Sequence, residues 1–413
     1  MAEELVDQPK STAEELVDQP KGSAESASSE FVFTDEQTQL RAAVRKFCAD
    51  HIDESAVRDQ MVSDPPFDAK VWARLGSELG VLGMAVPEAD GGAGGTLVDQ
   101  AVAVEQLGAS LAPGPLFGTV YLAIPALVAG SGSRELLEGL ADGTRTAAFA
   151  VSDDAGAFDP LSVSVEAVPT EQGWALSGTV EQVVDAGAAD VLLVAANSPD
   201  GIALYAVEAD SPGVQRIPLN TLDLTRPQAT VELKQATAQQ VAGPDDAERV
   251  ITHALQVGAA LLAVEQVGAA QHLLDLSVEY AKSRLQFGRQ IGSFQAVKHR
   301  LADDLVALEH ARSTAYHAVW ALSDGTDDPA LATSIAQATC SAAFVKVATD
   351  TIQVHGGIGF TWEHQAHLYY KRAYTDAALL GNAEEHRARV AEFVLDVAPA
   401  KDAPRVATGI PTT

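Results

Sequence analysis

A cation, an amide and an aromatic ring lie close together in the chain, as Arg284, Gln286 and Phe287. Gly288 follows them directly, so the three side chains fall at a break in the helical pattern. A fixed positive charge beside an amide and a planar ring suits a ligand that carries both phosphate and a flat ring system. The alternative interpretation is a solvated basic hairpin between two core helices, which composition alone favours.

Two long helices are predicted to position these residues. Apolar side chains recur at steps of three or four before the break, which is the spacing of one helical face: Val257, Leu261, Val264, Val267, Ala270, Leu274 and Val278. The spacing resumes after Gly292, at Phe294, Val297, Leu301 and Leu305. We therefore expect the three residues at the end of one long helix, in a short turn that leads to the next.

Two longer motifs extend this pattern. Residues 284–303 read R-x-Q-F-G-R-x-I-G-x-F-Q-x-x-K-H-x-L-A-D, and residues 353–361 read QVHGGIGFT. The first resembles the signature of the acyl-CoA dehydrogenases, and the second resembles that family's other C-terminal hallmark. Two long motifs in family order are far more specific than a lone Gly-Gly-x-Gly. The resemblance covers most of the chain from about Phe33 to Val397, at uneven quality.

The resemblance implies an α+β fold with an N-terminal helical domain, a small antiparallel β domain and a C-terminal antiparallel helical bundle. The residue pattern agrees with this order. Thr34 and Gln37 form a predicted capping box, and the alternation of Ser162–Val165 predicts a strand. We expect a disordered acidic tail at 1–30 that repeats AEELVDQPK, a helical domain at 31–145, a β domain at 146–243, a bundle at 244–397 and a loose tail at 398–413.

Composition narrows the function classes. The chain has 27 basic and 57 acidic residues and a net charge of −30, which disfavours nucleic acid or an anionic membrane as a partner. Cys48 and Cys340 are its two cysteines, which predicts a reducing compartment and no cysteine metal site. No metal-ligand spacing and no apolar run near 18 residues is evident, so we expect a cytoplasmic protein without metal.

In the family that the chain resembles, FAD is shared across a dimer. The flavin ring lies against one subunit's β domain, and the pyrophosphate and adenine lie against the neighbour's helical bundle. The resemblance implies that Arg284 neutralises pyrophosphate, with Gln286 and Phe287 beside it. It also assigns hydrogen bonds to Gln295 and Gln353 and places His355, Gly356 and Gly357 at the cofactor.

The ring-binding half departs from the family pattern. Where T-E-P-x-A-G-S-D is expected, residues 151–159 read VSDDAGAFD. Where W-I-[ST] is expected, the chain has Val183, Val184 and Asp185, so a carboxylate replaces the hydroxyl and would repel a reduced, anionic flavin. This predicts that the chain does not hold its own flavin ring.

The catalytic base of the family is also missing from its two known positions. The usual glutamate position appears as Gly381, and the alternative, 26 residues before the motif arginine, appears as Gly258. Glu265 is the nearest acid on the same predicted helix and is the weak candidate. Three other acids are also candidates, but a position at a helix end or in solvent explains each of them more simply than a role as the base: Asp376, Glu384 and Glu385.

The chain therefore resembles the non-catalytic type of subunit in two-gene α2β2 acyl-CoA dehydrogenases of bacterial steroid and sterol side-chain degradation. That hypothesis implies an acyl-CoA substrate, a paralogous partner subunit and an electron-transferring flavoprotein as acceptor. One alternative is a self-sufficient homo-oligomeric acyl-CoA dehydrogenase with a relocated base. The other is a flavin-free scaffold of the same fold.

Overall fold

Helices form the first part of the chain in the computed structural model, which describes residues 32–130, 134–154, 156–171, 173–325 and 327–395. They are α1 (Asp35–His51), α2 (Glu54–Gln60), α3 (Ala69–Ser77), α4 (Leu97–Ala109), a π-helical segment (Leu116–Ala123), α5 (Ile124–Ala129) and α6 (Arg134–Ala141). The capping box of Thr34 and Gln37 is confirmed at the start of α1. The two terminal tails, with the repeat, lie outside the described residues.

A mostly antiparallel sheet follows. Its seven strands are β1 (Ala147–Ala150), β4 (Glu166–Thr170), β5 (Gly173–Val184), β6 (Val191–Ser198), β7 (Gly201–Glu208), β8 (Val214–Pro218) and β9 (Gln228–Ala242), while β2 (Asp153–Asp154) and β3 (Ala157–Phe158) form a separate hairpin. The strands β6, β4, β5, β9 and β7 close into a ring, and β1 adds to β6 in parallel. The strand expected at Ser162–Val165 is wrong: a short 3₁₀ turn at Pro160–Ser162 precedes β4.

The apolar run in β6 is buried on both faces. Val191, Leu193 and Ala195 belong to the core under the helices, whereas Leu192 and Val194 belong to the core inside the ring of strands. Successive side chains of a strand point to opposite faces, so a strand between two cores needs apolar residues throughout.

Long helices form the rest of the chain. They are α7 (Ala247–Ser283), α8 (Gln295–Asp324), α9 (Pro329–His355), α10 (Ala366–Asp376) and α11 (Ala383–Leu395), with the hairpin β10 (Leu285–Gln286) and β11 (Arg289–Gln290) between α7 and α8. Gln337 of α9 contacts Ala259 of α7, and Thr351, further along α9, contacts Ser277, further along α7. The two helices therefore run parallel.

By length and composition α7 and α9 are apolar enough to cross a membrane, contrary to the expectation from apolar runs, but most of each apolar stretch is buried in the protein's interior.

The helices α4 and α7 approach each other through two glycines. A Cβ atom added at Gly268 would lie 1.9 Å from the backbone oxygen of Glu105, and one added at Gly108 would lie 2.5 Å from the backbone oxygen of Glu265. Neither backbone oxygen can rotate away as a side chain would. This contact joins the N-terminal helices to the bundle and sets where Glu265 lies.

We expect Gly268→Ala to lower the free energy of unfolding by about 1–3 kcal/mol, because the methyl group must push two helix backbones apart. Gly187→Ala is the matched control, since nothing lies within 4 Å of its added Cβ, and it should change stability by less than about 0.5 kcal/mol. Urea denaturation followed by circular dichroism measures both. Equal stability of the two variants would contradict the close helix contact.

Candidate functional site

The hairpin after α7 displays the first group of predicted residues. Phe287 and Gly288 have φ angles of 51° and 76°, as the two central residues of a tight two-residue turn require. Phe287 is 91% exposed, and its nearest ring neighbour is Phe294 at 6.1 Å between centroids. An aromatic residue in a left-handed conformation, with its ring in solvent, is a feature that binding explains better than folding.

The end of α9 supplies the second group. Gln353 is exposed on its last turn, and Gly356 follows with φ 64° and ψ −140°. An added Cβ at Gly356 or Gly357 would meet nothing within 4 Å. The backbone of this turn is therefore open to a ligand, and only glycine adopts the Gly356 conformation without strain.

These two groups lie at the same end of the bundle. The ring of Tyr280, in the last turns of α7, stacks on His355 at 4.3 Å between centroids, and Arg284 follows Tyr280 by one turn. Gln295 is exposed at the start of α8, where the helix has no side-chain cap. We name the following residues the cofactor face: Arg284, Gln286, Phe287, Gln295, Gln353, Gly356 and Gly357.

His355 differs from the sequence prediction, which placed it at the cofactor. Its side chain is 4% exposed, between Tyr280 and His364, and its Nδ1 lies 2.9 Å from the carbonyl oxygen of Thr351. Burial lowers the pKa of His355, so the imidazole is neutral at neutral pH. It supports the turn from below and does not belong to the exposed face.

Of the apolar surface around the cofactor face, the sequence prediction included only Phe287. Five large apolar side chains are exposed on the hairpin and on the segment after α9: Leu285, Phe287, Ile358, Phe360 and Trp362. Lys371 Nζ lies 4.3 Å from the ring centre of Trp362. Exposed apolar side chains in one region mark an interaction surface, and the signal in the sequence was the apolar residues within the two motifs, together with Trp362 just after the second.

The two family positions for the base lie close together beside a small cavity. A Cβ added at Gly258 would lie 2.4 Å from Leu122 Cδ2 and 3.4 Å from Leu380 Cδ1, and Leu380 directly precedes Gly381. This cavity, which we name the inner cavity, has a volume of about 70 Å³ and is lined mostly by apolar side chains, which include Phe117, Phe149 and Leu255. Sites for small organic ligands measure about 300–1,000 Å³.

Asp185 closes the same region from the sheet side. It has a φ of 64° after β5 and is 4% exposed, and the N–H of Gly118 in the π-helical segment donates to its Oδ2 at 2.9 Å. Burial raises the pKa of Asp185 to about 6, and the Gly118 N–H opposes this only in part. A carboxylate therefore lies buried where the family has a hydroxyl group.

Glu265 lies in a buried cluster of charges and is 2% exposed. Arg226 donates to both of its carboxylate oxygens at 2.6 and 2.7 Å, Arg372 donates to Oε1 at 2.6 Å, and Tyr121 donates to Oε2 at 2.8 Å. Burial favours the neutral acid, but the two arginines outweigh it and lower the pKa of Glu265 to about 2. Because these donors already occupy both carboxylate oxygens, Glu265 is not placed to take a proton from a substrate.

Two further acids complete the cluster. Arg372 Nε donates to Asp223 at 2.8 Å, and Arg226 Nη1 lies 3.0 Å from Asp376. We name Asp223, Arg226, Glu265, Arg372 and Asp376 the ion cluster; its two cations face three acids. Burial raises the pKa of Asp376, and Arg226 compensates only partly.

The remaining acidic candidates have structural contacts. The backbone N–H groups of Glu384 and Glu385 donate to Asn382, and Glu385 accepts from the Asn382 N–H at 2.8 Å at the start of α11. Asp376, with 0% exposure, lies in the ion cluster. Neither group lines the inner cavity.

Comparison with known proteins places this geometry in a family. Models of the acyl-CoA dehydrogenase N-terminal and C-terminal domains match residues 34–143 and 248–395. The chain belongs to the acyl-CoA dehydrogenase family. Members of this family are FAD-dependent oxidoreductases that act on CH–CH bonds. The family and the α+β fold class expected from the two motifs are confirmed.

Several relatives are similar over nearly their whole length. Acyl-CoA dehydrogenase IpdE2 of Mycobacterium tuberculosis is 36% identical over 351 residues, which cover 85% of this chain and 95% of IpdE2. The ChsE4–ChsE5 complex of Mycobacterium tuberculosis contains a chain that is 30% identical, with a TM-score of 0.80 and coverage of 89% and 100%. A variant of the Tcur3481–Tcur3483 steroid ACAD is 32% identical, with a TM-score of 0.78 and coverage of 87% and 98%.

We expect Glu265→Gln to lower the free energy of unfolding by about 3–5 kcal/mol, because two buried arginines lose their counter-charge. Glu279→Gln on the same helix is the control: Glu279 forms an exposed pair with Lys282, and its loss should cost less than about 1 kcal/mol. Urea denaturation of the purified variants measures both. A Glu265→Gln protein of unchanged stability that had lost only turnover would restore Glu265 as a base.

We expect Asp185→Asn to remove a pH-dependent loss of stability. Because the folded-state pKa of about 6 lies above the unfolded value, unfolding releases a proton, so Asp185 lowers stability as pH rises from about 4 to about 6. The free energy of unfolding of the variant relative to the wild type should therefore rise across this window, by up to about 3 kcal/mol. Urea titrations at pH 4, 5, 6 and 7 measure it; a constant difference would contradict the assignment.

Proposed function

We propose that this chain is a subunit of an FAD-dependent acyl-CoA dehydrogenase of α2β2 composition, in which it completes the FAD site of a paralogous partner subunit. The observation that carries the proposal is a contrast between two regions. The cofactor face keeps its cation, amides and glycines exposed, whereas Leu122 and Leu380 fill the space where the chain's own reaction would take place.

The cofactor face fits the diphosphate and adenine end of FAD. Arg284 has a permanent charge for pyrophosphate, and Gln286 and Gln353 offer amide donors and acceptors at the surface. The open backbone at Gly356 and Gly357 leaves room for close approach. When bound, FAD supplies the hydride acceptor for α,β-dehydrogenation of a CoA thioester. This chain's residues bind and orient that end, and the partner provides the ring pocket and the base.

The chain's own side does not fit the rest of the cofactor. An open groove of about 520 Å³ lies outside the inner cavity, and the two share Glu181, Gln182 and Leu380. The described residues that line this groove include Glu181, which has a carboxylate, and contain no lysine, arginine or histidine. A carboxylate disfavours phosphate groups, and the inner cavity is too small for an acyl chain.

Relatives support the choice of partner and substrate. ChsE4–ChsE5 is a complex, and Tcur3481–Tcur3483 is a steroid ACAD. By extension, the partner of this chain is a paralogous acyl-CoA dehydrogenase subunit and the substrate is a bulky, steroid-like CoA thioester. The acceptor is an electron-transferring flavoprotein, as is usual in the family. The free, buried thiols of Cys48 and Cys340 suit a cytoplasmic complex.

We expect the chain purified alone to be colourless, and the chain co-expressed with its paralogous partner to show the visible absorption of bound flavin and to oxidise acyl-CoA. Arg284→Ala in the complex should weaken FAD binding by about ten- to a hundredfold, as expected for a charge-assisted contact of about 1.5–3 kcal/mol. Flavin absorption after gel filtration and FAD titration of the apo-complex measure these effects.

Arg249→Ala is the matched control, because Arg249 is exposed at the opposite end of α7 and its loss should leave FAD affinity unchanged. A yellow chain without a partner, bleached by an acyl-CoA, would contradict the shared site and favour a self-sufficient enzyme. A complex that retains flavin and activity with Arg284→Ala would favour a scaffold role for this chain.

A further inference from the structure

Three rings in contact, which we name the stack, lie under the cofactor face and connect its two parts: Tyr280 stacks on His355, and the ring of His364 is tilted by 46° to that of His355. The ring of His355 lies 4.3 Å from that of Tyr280 and 4.5 Å from that of His364, between centroids. Tyr280 belongs to α7, His355 ends α9, and His364 follows the glycine turn. Each ring thus comes from a different segment, so the ring contacts bridge the end of α7, the end of α9 and the segment after the glycine turn.

Hydrogen bonds hold the central ring at a fixed orientation. Nδ1 of His355 donates to the carbonyl oxygen of Thr351, one turn earlier in α9, which leaves the proton on Nδ1. The hydroxyl of Thr351 accepts from Ser277 of α7 at 3.1 Å. Nε2 of His355 is buried without a hydrogen-bond partner in the described residues. The Nδ1–H bond stays within α9, whereas the contacts that reach Tyr280 and His364 are made by the ring itself.

The stack adjoins two of the proposed cofactor contacts, Arg284 and the glycine turn. Arg284 lies one helical turn after Tyr280, and its backbone N–H donates to the Tyr280 carbonyl oxygen at 2.8 Å. Gly356 follows His355 directly, and a Cβ added at Gly359 would lie 2.9 Å from the Cβ of His355. A shift of the ring would therefore move the arginine and the glycine turn relative to each other.

We propose that His355 is a positioning residue for FAD binding, which aligns Arg284 with the Gly356–Gly357 turn through the ring stack and does not itself touch the cofactor. This inference rests on the proposed cofactor face. It assigns a role to a buried aromatic plane at this position, so phenylalanine should replace histidine in that role and alanine should not. Loss of two ring contacts should weaken the alignment without removing any group that binds FAD.

The test uses the complex with the partner subunit, stripped of flavin and titrated with FAD while flavin fluorescence is followed. His355→Ala should weaken FAD affinity by about five- to tenfold, from the loss of aromatic packing. His355→Phe should restore it to within about twofold, because the ring faces remain. His253→Ala is the control, since His253 lies near the other end of α7 and away from the stack, and it should leave the affinity unchanged.

Wild-type FAD affinity in His355→Ala would overturn the inference. An affinity that phenylalanine fails to restore, in a complex of unchanged melting temperature, would also overturn it, because that result assigns the effect to the imidazole nitrogens. The result for Arg284→Ala separates this inference from the proposed function. If Arg284→Ala loses FAD and His355→Ala does not, the shared site stands and the positioning role fails.

Discussion

Two arginines with almost no access to water hold the three parts of this chain together. Arg226 comes from the loop between β8 and β9, Arg372 from α10, and both bind Glu265 on α7, to which Tyr121 of the π-helical segment also donates. A buried charge is tolerated only where its partners are fixed within hydrogen-bond distance. The ion cluster therefore requires that the N-terminal helices, the sheet and the bundle keep one arrangement, and the glycine contact between α4 and α7 makes that arrangement sterically accessible.

The same cluster lies behind the inner cavity. Arg226 lies 5.2 Å from the ring centre of Phe117, which lines that cavity, and Gly118, the next residue, donates to Asp185. The π-helical segment is thus fixed by a charge, a hydrogen bond and its packing against α7. In that position Leu122 occupies the space beside Gly258. The small volume of the inner cavity is a consequence of the core of this chain and does not depend on one surface loop.

The cofactor face differs from the ion cluster, because its side chains are exposed and only the backbone beneath them is fixed. Its side chains have few partners within the described chain: Arg284, Gln286 and Gln353 are exposed, and the aromatic ring of Phe287 is turned into solvent. What is fixed is the backbone beneath them, through helix ends, a two-residue turn and the buried ring of His355. A surface with a rigid base and unengaged side chains is arranged to bind another molecule, because its groups lose little freedom when the ligand arrives.

The sequence by itself determined the fold class and the family, because helical spacing, turn glycines and the two motifs are local patterns. It also predicted the residues of the cofactor face and the absence of a base at Gly258 and Gly381. Only the tertiary structure decided that Arg226 and Arg372 balance the negative charge of Glu265, since those arginines are distant in the chain and are brought together by packing. It likewise decided that His355 is buried and that Leu122 occupies the space beside Gly258. Local patterns specify which residues are present, whereas the pKa of a carboxylate and the volume of a cavity depend on groups that only the folded chain makes neighbours.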